Sequence, residues 1–214
     1  MRCPCCHRLI STDEGAICPQ CMGQLLLLPP QEEANPFWLF FCGRVHFCHA
    51  TALSVYEKDD SLSQMLKVSK YGHLPYVNGY LTEVLVDRLR DTGWPFDIDV
   101  IVPIPIHWIR LLTRGYNQVG PIAQTLSRCW HLPVEWGCLR RSRFVSSQVG
   151  LSWAERSERQ RQSLFLRHPE RLQGKHILLV DDVCTTGATL LAAADLLLEL
   201  PGTRVSFLAL GKTV

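Results

Sequence analysis

The apolar positions of this chain recur with two alternating periods. Between Asp60 and Leu89, Leu62, Met65 and Leu66, and then Leu81, Val84, Leu85 and Leu89, return at helical spacing. That spacing predicts two helices, with Gly72 to Pro75 as the break between them. Asn117 to Trp130 predicts another, with Ile122, Ala123 and Leu126 turned inward and Pro121 tolerable in the first turn. His107 to Arg114 reads as a further helix start. Short apolar runs lie between the helical stretches: one within Val45 to Tyr56, then Asp97 to Pro105, Leu132 to Leu139, Ile177 to Val180 and Arg204 to Leu210. These predict strands. Pro103 and Pro105 end the second run, because proline cannot continue a central ladder. Strands alternating with helices predict an α/β fold, with a mostly parallel sheet and helices on both faces.

The strand predicted at Ile177 to Val180 runs directly into Asp181-Asp182-Val-Cys-Thr185-Thr186-Gly187-Ala188-Thr189, and an apolar helical stretch follows from Leu190 to Leu200. A strand, a turn of small residues and a helix N-terminus make an anion site: backbone N–H groups converge, the helix dipole adds positive potential, and the threonine hydroxyls donate. Gly187 would allow a phosphate to approach the backbone closely. Asp181 and Asp182 would stand at a strand's carboxyl end, where open α/β sheets bind ligands. Two carboxylates beside a phosphate cradle repel it unless they face sugar hydroxyls or Mg²⁺. The plainer alternative is a capped helix, with Asp182 or Thr185 as the cap. A Walker loop is excluded, since no Gly-x-x-x-x-Gly-Lys-Ser/Thr string occurs, and Gly-x-Gly-x-x-Gly is missing from this segment.

The amino-terminal region has a different logic. Cys3-Pro-Cys-Cys6 and Cys18-Pro-Gln-Cys21 are two Cys-x-x-Cys pairs separated by eleven residues. Each pair makes a turn that aims two thiolates at one ion, so Cys3, Cys6, Cys18 and Cys21 predict a structural zinc site. Cys5 competes with Cys6 for the same ligand position, and His7 is a spare ligand. A segment this short cannot bury a core, so the metal would supply its folding energy. Cys42, His46, Cys48 and His49 follow without that spacing and read first as packing residues, with a remnant second knuckle as the alternative.

Ten cysteines in a chain of 214 residues would suggest disulfides in an exported protein. Met1-Arg2-Cys3-Pro4 has no export pattern, and no run approaches the ~20 apolar residues of a membrane span. The expected compartment is therefore the cytoplasm, where clustered cysteines point to metal. A net charge of +2 argues only weakly for a nucleic-acid partner. The length suits a zinc module and linker over residues 1–50 followed by one α/β domain over residues 51–214.

The segment Asp181 to Thr189 resembles the motif by which type I phosphoribosyltransferases bind 5-phosphoribosyl 1-diphosphate (PRPP). Asp99-Val-Ile-Val-Pro-Ile-Pro-Ile-His107, Arg110 and Arg114-Gly-Tyr-Asn-Gln118 resemble the signature of one branch, the ComF family of competence-associated phosphoribosyltransferase-like proteins. Lys70-Tyr71-Gly72 resembles that family's Leu-Lys-Tyr-x-Gly, with Ser69 in place of leucine and no spacer before Gly72. The order of motifs agrees along nearly the whole chain. The departure lies between Gln31 and Ala50, where the family usually has two more Cys-x-x-Cys knuckles. The resemblance implies that Asp181 and Asp182 hold the ribose 2- and 3-hydroxyls of PRPP, with Mg²⁺ as its companion ion. It further implies that Thr185, Thr186, Gly187, Ala188 and Thr189 wrap the 5-phosphate. Pro103 to Pro105 would contact the diphosphate. Arg114 is a candidate phosphate fork or a solvated arginine, and Tyr116 a base platform or a core residue.

Between residues 140 and 161, six arginines stand against two glutamates, around Ser146-Ser-Gln-Val-Gly150. The resemblance implies a hood that closes over PRPP and brings Arg143, Arg156 or Arg159 to the departing diphosphate, with Arg156 the catalytic candidate. The alternative is a solvated basic face. Two functions follow. One is an enzyme that transfers the phosphoribosyl group to a nitrogen nucleophile. The other is a non-catalytic PRPP-regulated module that acts through a DNA-uptake helicase and single-stranded DNA.

Overall fold

The computed structural model describes residues 2–11, 15–106, 115–142 and 163–213. After a short helix α1 (Pro19–Met22) come α2 (Pro36–Phe41), β1 (Ala50–Val55), α3 (Ser61–Tyr71), α4 (Tyr76–Leu89) and β2 (Val100–Pro103). Then follow α5 (Val119–Trp130), the short strands β3 (Leu139–Arg141) and β4 (Leu164–Leu166), β5 (His176–Cys184), α6 (Ala188–Leu198) and β6 (Arg204–Lys212). Four strands form one sheet in the order β1-β6-β5-β2, and every pair in it is parallel. β3 and β4 pair antiparallel as a separate ribbon. Among the described residues no helix is long and apolar enough to cross a membrane.

The alternation of side chains along the strands divides the core in two. Leu178 and Val180 of β5, with Leu208 and Leu210 of β6, join the buried faces of α3, α4 and α5. Ile177, Leu179, Val205, Phe207 and Ala209 face the other way, into a cluster with α2 and α6. Ile10, Ile17 and Leu25 of the cysteine-rich segment belong to the first cluster, so that segment lies against the same face as α3 to α5. The expected parallel sheet with helices on both faces is what the chain forms.

Two elements differ from their sequence reading. β5 does not stop at Val180: Asp181, Val183 and Cys184 remain paired with Ala209, Gly211 and Lys212 of β6, so both acids lie within the strand. The run from Leu132 to Leu139 divides, with Val134 making a single parallel bridge to Ile101 before β3 begins at Leu139. The segment from His107 to Arg114 falls outside the described residues.

The turn into α2 depends on one fully buried amide. Asn35 Oδ1 accepts from the Phe37 N–H at 3.0 Å, and its Nδ2 donates to the carbonyls of Pro29 (2.8 Å) and Ala52 (3.2 Å). Cap and cross-link are one side chain, which ties α2 to β1. Asn35→Ala should therefore cost about 2–3 kcal/mol through the lost cap and the unsatisfied carbonyls. At this chain length that lowers the midpoint of thermal unfolding by roughly 4–10 °C. A circular-dichroism melt that does not move would remove Asn35 from this role.

Candidate functional site

The carboxyl end of β5 carries the first group. Asp181 Oδ1 accepts from the backbone N–H of Asp182 at 2.8 Å, and Asp182 Oδ1 accepts from that of Val183 at 2.9 Å. Each carboxylate thus bonds the N–H of the residue that follows it, which fixes its rotamer and leaves its second oxygen for other partners. For Asp182 that partner is Lys70, at the last turn of α3, whose Nζ lies 2.7 Å from Oδ2. Both side chains are largely shielded, 18% and 15% exposed, so the pair is far less screened than a surface bridge. Burial, and then the neighbouring Asp182 charge, push the Asp181 carboxyl well above the usual carboxylate range.

The turn after β5 leads into α6. Thr185 and Thr186 are exposed, Gly187 caps the helix with φ +69°, and Ala188 and Thr189 form its first turn. Neither Asp182 nor Thr185 is the cap. The Ala188 N–H reaches Thr186 Oγ1 only at 3.5 Å, and the first turn holds no acid. The helix N-terminus keeps its positive end open to an anion. Gly187 has a role beyond close approach. A Cβ there would lie 2.3 Å from Cε1 of Phe40, so the α2 ring occupies the space that a side chain would need. Phe40 in turn lies beneath two cations, with Arg44 Cζ 4.4 Å and Lys212 Nζ 4.8 Å from its ring centre. Lys212 Nζ also donates to the Thr185 carbonyl at 3.5 Å.

Pro103 is the last residue of β2 and pairs with Val180, and the Ile104 N–H donates to the Val180 carbonyl at 2.9 Å. The Pro103–Pro105 turn therefore emerges beside Asp181. Tyr116 is anchored rather than offered to a base, since its hydroxyl donates to the Ser69 carbonyl one residue before Lys70. Asn117 Nδ2 donates to the Ile104 carbonyl at 3.1 Å. The Tyr116-Asn117 pair thus holds α3 and the β2 turn around the same cleft. Arg114, Arg143, Arg156, Arg159 and the hood segment lie outside the described residues.

The sequence singled out both acids and the turn. It did not single out Lys70 as the partner of Asp182, nor Phe40 and Lys212 as neighbours of Gly187. Lys70 stands in the quoted Lys-Tyr-Gly segment, and that was the available signal.

The four predicted thiols gather at the amino terminus. The ligand atoms of Cys3, Cys6, Cys18 and Cys21 all lie within 4.8 Å of one another, with Cys3–Cys21 at 3.9 Å and Cys6–Cys18 at 3.6 Å. A tetrahedron of Zn–S bonds of about 2.3 Å has sulfur–sulfur edges of about 3.8 Å, so the cage has the size of that ion. Burial raises the Cys3 thiol, but backbone groups of Cys18, Cys6 and Cys5 outweigh it and bring it down to about 6. Cys5 is pushed up to about 12 by burial and by the Cys3 charge, and it stands outside the group of four. The four cysteines could hold a metal ion, and Cys6, not Cys5, is the partner of Cys3 in the first pair. Cys42 directs its Sγ to the Trp38 carbonyl, and His49 stacks on Phe96 at 3.7 Å while pairing with Glu32 at 3.0 Å.

A third group resembles a catalytic triad but is closed. His176 Nδ1 lies 2.9 Å from Asp97 Oδ1, and its Nε2 lies 2.7 Å from Ser206 Oγ. His176 and Ser206 are fully buried at the amino ends of β5 and β6, and Ser206 Oγ also accepts the His49 N–H. No substrate reaches that hydroxyl. The group is a clamp between strands.

The sequence from residue 85 to 210 matches the phosphoribosyl transferase domain. The DNA utilization protein YhgH of Escherichia coli K12 is 30% identical over 207 residues, which cover 92% of this chain and 84% of that protein. Competence protein F of Haemophilus influenzae is 28% identical over 145 residues, covering 66% of this chain and 63% of that protein. Adenine phosphoribosyltransferase from Leishmania tarentolae is similar in structure, with a TM-score of 0.42 and 17% identity over 74% of this chain and 90% of that one. The chain belongs to the phosphoribosyltransferase domain family, in its ComF branch.

The raised Asp181 carboxyl sets a pH dependence. A carboxyl whose native pKa lies above its unfolded value lowers stability as pH rises from about 4, where the unfolded chain ionises, through the native value. Asp181→Asn keeps the Oδ1 acceptor and removes that loss. It should unfold at a higher temperature than the wild type at pH 8, with the difference shrinking toward pH 4. A difference independent of pH would show that the Asp181 carboxyl is not raised in the native state.

Proposed function

We propose that the chain binds PRPP with Mg²⁺ at the carboxyl end of β5. One observation carries this reading: two rotamer-fixed carboxylates in a strand that runs straight into an uncapped helix N-terminus, with the β2 turn alongside. Asp181 and Asp182 would hold the ribose 2- and 3-hydroxyls. Residues Thr185 to Thr189 would take the 5-phosphate, where N–H groups and the helix dipole favour negative charge. Pro103 and Pro105 would border the diphosphate. Mg²⁺, when bound with PRPP, supplies positive charge to the diphosphate oxygens. The donor set suits it, since hard oxygens are the ligands it selects.

The reaction such a site serves is displacement of diphosphate from ribose C1 by a nitrogen nucleophile. Protein groups would act by positioning and by stabilising the leaving charge. Arg114 and Arg156 are the cations proposed for that charge. The names of the relatives, a DNA utilization protein and competence proteins, support a place in the use of incoming DNA. They favour a second reading, in which PRPP regulates contacts with a DNA-uptake helicase and single-stranded DNA. Incubation with PRPP, Mg²⁺ and a panel of bases and amines separates the two. Diphosphate release that depends on one acceptor supports the enzyme, and PRPP binding without release supports the regulated module.

PRPP with Mg²⁺ should raise the unfolding temperature by selective binding to the native state. Asp181→Asn/Asp182→Asn should abolish that shift, and an unchanged shift in the double variant would rule out the assignment.

Cys3, Cys6, Cys18 and Cys21 are proposed to bind one structural Zn²⁺, and elemental analysis should find about one zinc per chain. Cys6→Ser should reduce that content, whereas Cys5→Ser should leave it unchanged. Folded protein free of metal, or a loss with Cys5→Ser alone, would count against this ligand set.

A further inference from the structure

On the outer side of β2, between the bridge at Val134 and the β3–β4 ribbon, lies a cavity of about 450 Å³. Its size falls within the range of small-molecule sites. None of its lining residues belongs to the Asp181–Thr189 segment or to the Pro103–Pro105 turn. Arg140, Arg167 and Arg171 line it together with Trp136. A single carboxylate lies among them, Glu135, 3.6 Å from Arg171. Among the described residues neither Arg140 nor Arg167 has an acidic partner.

Arg140 is held in position. Its Nε donates to the Gly137 carbonyl at 3.1 Å, and a Cβ at Gly137 would lie 3.0 Å from its Nη2. The guanidinium thus lies against a backbone with no side chain to lift it away, and among the described residues its terminal N–H groups stay available. Trp136, at the same rim, leaves 49% of its surface exposed, a large cost for an indole. Guanidinium forks match phosphate oxygens in bidentate geometry, and an exposed indole offers a face on which a nucleobase stacks.

We propose that this cavity is a nucleotide-binding site, separate from the PRPP cleft, in which Arg140 and Arg167 hold a phosphate and Trp136 stacks on the attached base. The nucleotide unit has two possible sources, a free mononucleotide or one residue of a single-stranded nucleic acid.

The full chain is titrated with AMP, with a short single-stranded oligonucleotide and with inorganic phosphate. The readout is the part of the intrinsic fluorescence that Trp136→Phe removes. Each titration is repeated in Asp181→Asn/Asp182→Asn, so that occupancy of the PRPP cleft is recognised. The expected result is quenching of the Trp136 signal with the same affinity in both backgrounds. Arg140→Ala/Arg167→Ala should weaken it at least about tenfold, as loss of charged hydrogen bonds implies. Trp136→Ala, read by calorimetry, should weaken it roughly fivefold or more. Equal affinities for AMP and the oligonucleotide identify a free nucleotide as the ligand. Binding of the oligonucleotide alone, weakening steeply with salt, identifies a strand. Two results overturn the proposal. One is binding lost in the aspartate double variant. The other is affinity for inorganic phosphate equal to that for AMP and insensitive to Trp136→Ala. The three side chains are exposed, and matching thermal melts verify that the variants fold.

Discussion

β5 is hydrogen-bonded on both edges, to β2 and to β6, and covered on both faces, and the chemistry of the molecule depends on how that strand ends. Ile177 to Val180 fill the two core layers in alternation, and Asp181 and Asp182 follow without a break in the pairing. A slip of one residue along β6 would carry Asp181 to the place of Val180, between packed layers. There an unpaired carboxylate costs several kcal/mol. The acids therefore help to fix the register that places them, and the alternation of the core does the rest.

That placement works against stability. Adjacent carboxylates at a half-buried strand end repel each other. Lys70 relieves the strain on Asp182, while Asp181 is left with a raised pKa. A strand selected for stability alone would end in something less charged. Lys70 reaches the site because α3 is capped by Asp60, whose Oδ1 accepts the Ser63 N–H, and is held at its other end by Tyr116 against Ser69. The site is thus assembled from the last turn of one helix, the first turn of another and the ends of two strands. Each of these elements is anchored by its own hydrogen bonds.

Much of this was legible in the sequence, because burial writes a period into it. Leu62, Met65 and Leu66 of α3, and Leu81, Leu85 and Leu89 of α4, are buried as their spacing required. The acids and the threonine turn were visible because a polar cluster interrupts an apolar run. The length of β5 was not, since Asp is a poor strand former and Asp181 is held there by its pairing with Ala209. Gly137, beside the half-exposed Trp136, helps explain why the run from Leu132 to Leu139 is not one continuous strand. Contacts between distant segments, Lys70 with Asp182 and Phe40 with Gly187, leave no trace in local pattern. Of two candidate thiols the sequence could offer both, and only the folded turn put Cys6 in the cage and Cys5 beside it.

The ring of Phe40 against Gly187 has a bearing on how variation in this protein should be interpreted. The region between Gln31 and Ala50 has no knuckle spacing. It is organised instead by rings, with Phe41 stacked on Phe207 at 4.0 Å and Phe37 and Phe40 set edge-on against Phe41. That aromatic stack ends at the turn between β5 and α6. Substitutions at Phe40 of α2 will therefore disturb the turn that opens α6, at a distance from it in sequence. In a collection of natural or selected variants, a residue other than glycine at 187 should occur only together with a smaller side chain at 40, and should be one that tolerates the positive φ of that position.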